Sequence, residues 1–312
     1  MHQDPPATDA IDVAEVPPGH RSGFVAIVGR PNTGKSTLLN HLLGEKLAIT
    51  SSRAQTTRHA ILGVKHLPDA QIVYVDTPGM HSGGKRAMNR YLNRVADGAL
   101  EGVDLVVLVV EALRLTDEDE RVMSRLSRVE APIILAINKV DRVKDKNRLL
   151  PFIADLSGRL DFAEIVPISA LGGANLDALE RTILARLPEG PPLFPADQVT
   201  DRGDRFRAAE LVREKLIRRL GEELPHRLSV EIEQFAERGR GLDIDAVIWV
   251  ERRSQKPIVI GKEGALLKAA GTEAREEMRE AFGRPVRLHL WVKVREGWTD
   301  DERALLRLGY GE

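Results

Sequence analysis

The chain has 312 residues, 30% of them charged, and a net charge of −1, the profile of a globular protein long enough for two domains. So balanced a charge excludes nonspecific polyanion binding by bulk electrostatics, and any nucleic-acid contact must be local. The absence of cysteine excludes disulfides, zinc-thiolate sites and thiol nucleophiles, and the longest apolar run, Leu105 to Val110, is too short to span a bilayer.

Residues 1–21 are polar, acidic and proline-bearing with no apolar h-region, which predicts a disordered leader, not a signal peptide, and a cytoplasmic protein. The apolar run Phe24 to Val28 then leads into Gly29-Arg30-Pro31-Asn32-Thr33-Gly34-Lys35-Ser36, followed by Thr37 and a helix-like segment to Leu43. This fits GxxxxGK[ST] in its strand–loop–helix context. Glycines at these positions let backbone N–H groups curl around phosphates, and the helix directs its positive dipole end at them. Lys35 is expected to neutralise the β and γ phosphates, and the Ser36 hydroxyl to ligate Mg²⁺.

The polar stretch Ser51 to Arg58 lacks apolar periodicity, as expected of a loop ordered by γ-phosphate and Mg²⁺. A threonine here would complete the metal shell, Thr57 being preferred and Thr56 the second choice. Ala60 to Leu67 and the strand from Gln71 predict an antiparallel hairpin around Pro68-Asp69. That strand ends in Asp76-Thr77-Pro78-Gly79, where a carboxylate can hold Mg²⁺ through water and the Gly79 N–H can approach a γ-phosphate. Met80 to Lys85 reads as a second mobile segment, and Met80 cannot orient an attacking water as a glutamine would.

Further apolar runs at Leu105 to Val110, Ile133 to Ile137 and Ile165 to Ile168 alternate with helical patterns; Thr116 with Asp119 is a capping pair, and Asn175 precedes a helix with Leu176, Leu179, Ile183 and Leu187 on one face. The pattern predicts an α/β domain with a mostly parallel sheet, its ligand beyond the carboxyl ends of the strands. Asn138-Lys139-Val140-Asp141 ends one of these strands. A carboxylate at Asp141 can accept from guanine N1–H and the exocyclic amine, a pair that adenine lacks. Asn138 would buttress the loops, Lys139 would lie along the base, and the Ser169-Ala170 backbone could donate to the guanine oxygen.

The proline-rich stretch from Pro188 to Pro195 marks a domain boundary. The predicted organisation is a GTPase domain over 22–188, a stiff linker over 189–205 and a second domain over 206–312. In that domain Arg207 to Leu220 is a helix with Ala209, Val212, Leu216 and Leu220 inward and basic residues outward. Alternation predicts strands at Leu228 to Ile232, Leu242 to Val250 and Val286 to Val294, the first two forming a hairpin through Gly239 to Gly241, with a long helix from Ala265 to Phe282 between the last two. Gly261-Lys262-Glu263-Gly264, a GxxG between helical pieces, permits close approach of a nucleic-acid backbone, with Lys262 and Lys268 supplying local positive charge that Glu263 partly cancels. Trp249 and Trp291 fall on the outward sheet face beside Arg287, His289 and Lys293; covering the sheet or packing on the first domain is the favoured role for the tryptophans, stacking on bases the alternative.

The wording GRPNTGKST, QTTRH, DTPGM, NKVD and SA, with PPLFPADQVTDR and SQKPIVIGKEG further on, resembles the Era family of ribosome-associated GTPases, from Gly23 to the C-terminus. The second half resembles a type II KH domain, a smaller α+β unit. The resemblance implies GTP and GDP as ligands, binding to 16S rRNA near its 3′ end, and a role in 30S subunit assembly. It also implies at most weak peripheral association with the inner membrane, for which no polybasic anchor stands out; Asn32 is a candidate K⁺ ligand by resemblance to cation-stimulated GTPases with asparagine at this P-loop position, and the chain is expected to be a monomer. The alternatives are a GTP-sensing RNA chaperone with incidental hydrolysis and a membrane-associated scaffold. Two departures from the family wording stand out: Thr33 replaces a customary valine, and Ala269-Ala270 replace a basic residue and an isoleucine, a change expected to cost one phosphate contact.

Overall fold

The computed structural model describes residues 16–51, 53, 55–80, 87–221, 224 and 227–310. Most of the expected leader and of the second mobile segment, residues 81–85, lie outside the described residues.

The first domain runs β1 (Arg21–Val28), α1 (Lys35–Leu43), β2 (Ile61–Leu67), β3 (Ala70–Asp76), α2 (Ala87–Gly98), β4 (Leu105–Glu111), α3 (Asp117–Leu126), β5 (Ile133–Asn138), α4 (Leu149–Ser157), β6 (Glu164–Pro167) and α5 (Leu176–Leu184). Among the described residues its six strands lie in the order β2-β3-β1-β4-β5-β6, parallel except for β2. The continuous apolar runs arise because both faces are covered: Val25, Ile27, Val107 and Val109 face one cluster with α1 and α5, while Ala26, Val28, Val106 and Leu108 face another with α3. Every polar motif consequently falls at the carboxyl edge of the sheet. The Thr116–Asp119 pair forms a capping box at the start of α3. The strand begins at Arg21, the last residue assigned to the leader, and His20 is already buried, bonded to the Gly190 carbonyl.

The linker is fastened to the first domain. It caps the exposed edge of β2, with Val64 N–H donating to the Val199 carbonyl at 2.8 Å and Leu62 N–H to Asp201 Oδ1 at 3.1 Å, and the Gln71 amide holds Leu193 and Phe194.

The second domain comprises α6 (Asp204–Arg219), β7 (Leu228–Arg238), β8 (Gly241–Val250), α7 (Gln255–Ile260), α8 (Ala265–Phe282), β9 (Val286–Val294) and α9 (Glu302–Arg307). Its sheet has the order β7-β8-β9, antiparallel then parallel, and α6 and α8 cover one face through Val212, Leu216, Ala270, Ala274 and Met278. Ala270 is wholly buried there, so of the alanine pair only Ala269 can bear on nucleic-acid contact.

The expectation that α6 turns its basic residues outward is corrected. Arg213 and Lys215 are buried with Glu210 and Glu214, because α6 lies between its own sheet and the first domain. A fourth apolar cluster joins the domains: Ala87, Met88 and Leu92 of α2 pack against Trp298, Ala304, Leu305 and Tyr310.

Candidate nucleotide site and nucleic-acid loop

The loops after β1, β3, β5 and β6 converge on one cavity of about 740 Å³, lined by Arg30, Pro31, Asn32, Gly34 to Thr37, Thr56, Thr57, Gly79, Asn138, Lys139, Asp141 and Ala170. Lys35 Nζ is buried and donates to the Gly29 and Arg30 carbonyls, each at 3.0 Å. Burial pushes its pKa down to about 8, with Asp76 opposing.

At the start of α1 three hard oxygens meet. Ser36 Oγ lies 2.8 Å from Thr57 Oγ1 and donates to Asp76 Oδ2 at 2.7 Å, and Thr57 Oγ1 is 3.3 Å from the same carboxylate oxygen. Asp76 is fully buried, its Oδ1 has no hydrogen-bond partner among the described residues, and burial pushes its pKa up to about 6 against Lys35, Ser36 and Thr57. A buried carboxylate with an unsatisfied oxygen beside two hydroxyls is the donor set Mg²⁺ takes. The geometry also separates the two threonines: Thr56 Oγ1 turns away to the Arg53 carbonyl at 2.7 Å.

Gly79 has a structural reason beyond phosphate access. A Cβ there would come within 2.8 Å of Pro31 Cα, so β3 can close on the phosphate loop only with glycine at this position. Thr77 is buried, its hydroxyl on the Ile27 carbonyl at 3.0 Å, and Pro78 follows it into the loop. Met80 is 2% exposed and sits in the core beside Ala26 and Val28, so its side chain does not face the cavity.

At the base end, Asn138 Nδ2 donates to the Thr33 carbonyl at 2.7 Å while its Oδ1 accepts from the N–H groups of Lys139 and Ala170 at 2.7 and 2.8 Å. One side chain thus ties three loops together. Asp141 is oriented by Ser169 Oγ at 2.6 Å, and Lys139 Nζ spans the Asn32 carbonyl at 2.7 Å and Glu111 at 3.2 Å. Thr33, the departure from valine, is buried and satisfies its hydroxyl on the Arg30 carbonyl at 3.1 Å. Asn32 stands in a left-handed conformation at the lip of the cavity.

Arg30 is placed differently from its neighbours. Its guanidinium faces Asp119 at 2.9 Å and Glu111 at 3.0 Å, which leaves only its backbone for a phosphate. Burial works to raise the Glu111 pKa, but hydrogen bonds from Arg30 and Lys139 outweigh it and hold the carboxylate below its usual range. Glu111, Arg114 and Arg218 also line the cavity and carry no local motif. A carboxylate at the end of β4, one strand over from the phosphate loop, was the available signal for Glu111; nothing local marks Arg218, which arrives from the second domain.

The loop from Ser51 to Arg58, expected to be ordered by γ-phosphate and Mg²⁺, is held by the second domain over its second half. Thr56, Thr57 and Arg58 are buried, and Arg58 donates to the Leu228 carbonyl at 2.8 Å and the Tyr310 hydroxyl at 3.0 Å. Ser52 and Ala54 lie outside the described residues.

In the second domain Lys262 to Gly264 form a single 3-10 turn between α7 and α8, with Gly261, Glu263 and Gly264 at positive φ. A Cβ on Gly261 would meet Leu266 Cβ at 2.7 Å, whereas one on Gly264 would meet nothing within 4 Å. Gly264 therefore faces open space beside the exposed Lys262 and Lys268. Trp291 is 45% exposed on the outer sheet face near His289, contrary to the favoured covering role, while the Trp249 indole N–H donates to Glu231 at 2.7 Å.

A GxxxxGK[ST] loop, a buried oxygen cluster and an Asn-Lys-Val-Asp loop on one largely parallel sheet, followed by a KH domain, define a P-loop GTPase with a nucleic-acid-binding module. Family models agree: residues 24–139 match the 50S ribosome-binding GTPase family and residues 223–299 the KH domain. The chain is 55% identical over 298 residues to GTPase Era of Pseudomonas aeruginosa, covering 96% of this chain and 98% of that one, and 57% identical over 290 residues to GTPase Era of Azotobacter vinelandii, covering 93% and 97%. It belongs to the GTPase Era family. Two solved structures of Era superpose with TM-scores of 0.91 at 42% identity, each covering 94% of this chain and 100% of the other: an Aquifex aeolicus Era variant bound to GDP·AlF4⁻, and Era in complex with MgGDPNP and nucleotides 1506–1542 of 16S ribosomal RNA.

Proposed function

We propose that this chain is a GTP-hydrolysing switch that binds 16S rRNA near its 3′ end through the Gly261 to Gly264 loop and acts in 30S subunit assembly. The observation that carries this reading is the relative of 0.91 TM-score holding MgGDPNP and nucleotides 1506–1542 together, set beside a cavity here lined by Lys35, Ser36, Thr57, Asn138 and Asp141.

In the proposed site, backbone N–H groups from Gly29 to Thr37 and Lys35 hold the phosphates, Ser36 and Thr57 ligate Mg²⁺, and Asp76 holds it through water. The ion supplies neutralising charge on the β and γ oxygens. Gly79 N–H, with Thr77 and Pro78 shaping its loop, positions the γ-phosphate for in-line attack by water. Asp141 reads guanine with the Ser169-Ala170 backbone, Lys139 covers the base, and Asn138 fixes the loops. With Met80 in the core, no side chain at that position orients the water, so intrinsic turnover is slow. RNA, or K⁺ held by Asn32, raises it; equal turnover in sodium and potassium would remove the ion from this scheme. The domains are taken as 22–188 and 206–312, acting as a monomer in the cytoplasm. Association with the inner membrane is weak and peripheral in this scheme; among the described residues no helix is long and apolar enough to cross a membrane.

The test is GTP hydrolysis with and without a short single-stranded RNA matching the 3′ end of 16S rRNA, run in parallel on Lys262→Ala and Gly264→Asp. Stimulation in the wild type that is lost in both variants supports the switch. Met80 also favours the chaperone reading, which gains if RNA binds through this loop and hydrolysis stays unchanged.

A further inference from the structure

Helix α6 belongs to the second domain, yet it holds the loop that carries Thr57. Arg213 is 1% exposed and makes a bidentate pair with Glu210, both bonds 2.6 Å, and its Nη2 also donates to the Thr56 carbonyl. That carbonyl belongs to the peptide bond leading into Thr57. One turn along, the same helix grips the other end of the loop: Thr50 N–H donates to Glu214 Oε1 at 2.9 Å, and Arg218 Nη2 donates to the Thr50 carbonyl at 3.1 Å and hydroxyl at 3.2 Å. Arg218 is locked to Glu214 at 2.7 Å, an i,i+4 pair on one helix face.

The neighbouring stripe of α6 faces the other way. Lys215 pairs with Glu277 and Arg219 with Glu273, both on α8, the helix whose N-terminus opens at Gly264. A shift of α8 against the first domain is therefore felt by α6, and α6 touches the loop at Thr50 and at Thr56, the residue that leads into Thr57.

We infer that Arg213, with Glu214 and Arg218, are positioning residues for the hydrolytic site: they hold Thr57 at the Ser36–Asp76 oxygen cluster only while the KH domain is docked as seen here. The inference deepens the proposed function and rests on Thr57 as the Mg²⁺ ligand. A bidentate arginine aimed at a backbone carbonyl fixes both distance and direction, which a lysine at the same place does not. Misplacing one metal ligand by about 1 Å can cost on the order of 100-fold in turnover, so partial loosening is expected to cost about tenfold.

The experiment compares wild type, Arg213→Lys, Arg218→Ala and Thr57→Ala, each alone and each arginine variant combined with Thr57→Ala. Turnover, GDP affinity, melting temperature and tryptic cleavage after Arg53 with Mg-GDPNP or GDP are measured on the full chain. The expected result is loss of GDPNP-dependent protection at Arg53 and about tenfold lower turnover in both arginine variants, with GDP affinity within about twofold of wild type. The losses should not add to that of Thr57→Ala, since all act on one ligand. Losses that add would place the arginines' effect elsewhere and overturn the inference. Wild-type turnover and protection in both arginine variants, beside a slow Thr57→Ala, would overturn it while leaving the metal reading intact. Wild-type turnover in Thr57→Ala would remove the metal reading, and the inference with it. Should Arg213→Lys melt early, the half-exposed Arg218 decides the matter.

Discussion

The Nε of Arg30 donates to Asp119 Oδ2 at 2.9 Å, across 89 residues of chain, joining the phosphate loop to the first turn of α3. The same oxygen accepts from the Thr116 N–H and hydroxyl at 2.9 and 2.8 Å, so one buried carboxylate serves both a helix cap and the loop. Arg30→Met leaves that carboxylate buried without its cation. It is expected to cost about 3 kcal/mol in denaturant unfolding, with Arg30→Met/Asp119→Asn recovering part of the loss. An Arg30→Met variant of unchanged stability would show the pair to be energetically neutral.

Base choice is expected to turn on Asp141, oriented by Ser169 at 2.6 Å. Asp141→Asn keeps an oxygen acceptor for guanine N1–H but sets an amide donor against the exocyclic amine at C2. GTP affinity should fall by at least about 100-fold, and xanthosine triphosphate, which offers an acceptor there, should become the better ligand. Competition binding of the two nucleotides checks this; retained guanine preference would move recognition to another group.

Nucleotide binding is expected to take up protons near pH 8. Burial lowers the Lys35 pKa to about 8, so about half the sites are neutral at that pH, and a polyphosphate in the loop restores the charge. GDP affinity should therefore weaken as pH rises from about 7 through 8. Calorimetry at pH 8 in two buffers of different ionisation enthalpy should report uptake of about half a proton, and equal enthalpies in the two buffers would refute it.

Stability should carry a histidine signature from the domain junction. His59 stacks on Tyr310 at 4.8 Å and meets the Tyr91 hydroxyl at 3.2 Å; burial pushes its pKa down to about 4, with Glu210 opposing and Arg213, Arg202 and Arg58 assisting. A folded pKa below the unfolded value means that the unfolded chain binds more protons between about pH 4 and 6.5, so this group's contribution to stability rises with pH across that window. Asp76, raised to about 6, works in the opposite sense below pH 6. The readout is thus the difference between wild type and His59→Phe: the variant's advantage should be largest at pH 4.5 and shrink towards pH 7. A pH-independent difference would mean His59 does not titrate on unfolding.

The amino-acid sequence by itself determined the carboxyl-edge motifs, the alternation of buried strands and helices, and the linker's place, because these are local. A phosphate loop needs its glycines and Lys35 within eight residues, and a strand buried on both faces must be apolar throughout. It also marked Gly261 to Gly264, since a turn with several positive φ angles is written in neighbouring residues. Only the tertiary structure decided that Arg30 faces Asp119 instead of a phosphate, that Met80 lies in the core, that Thr57 and not Thr56 joins Ser36 and Asp76, and that Trp291 stands exposed. It alone brought Arg213, Glu214 and Arg218 to the loop before β2. The stripe of charges on α6 reads as a solvated face, because the groups that receive it across the domain junction, the Thr50 and Thr56 backbone and Lys46, lie more than 150 residues away in the chain. Ion pairs and carbonyl contacts of that span leave no periodicity behind, so burial of charge is settled only when the two domains meet.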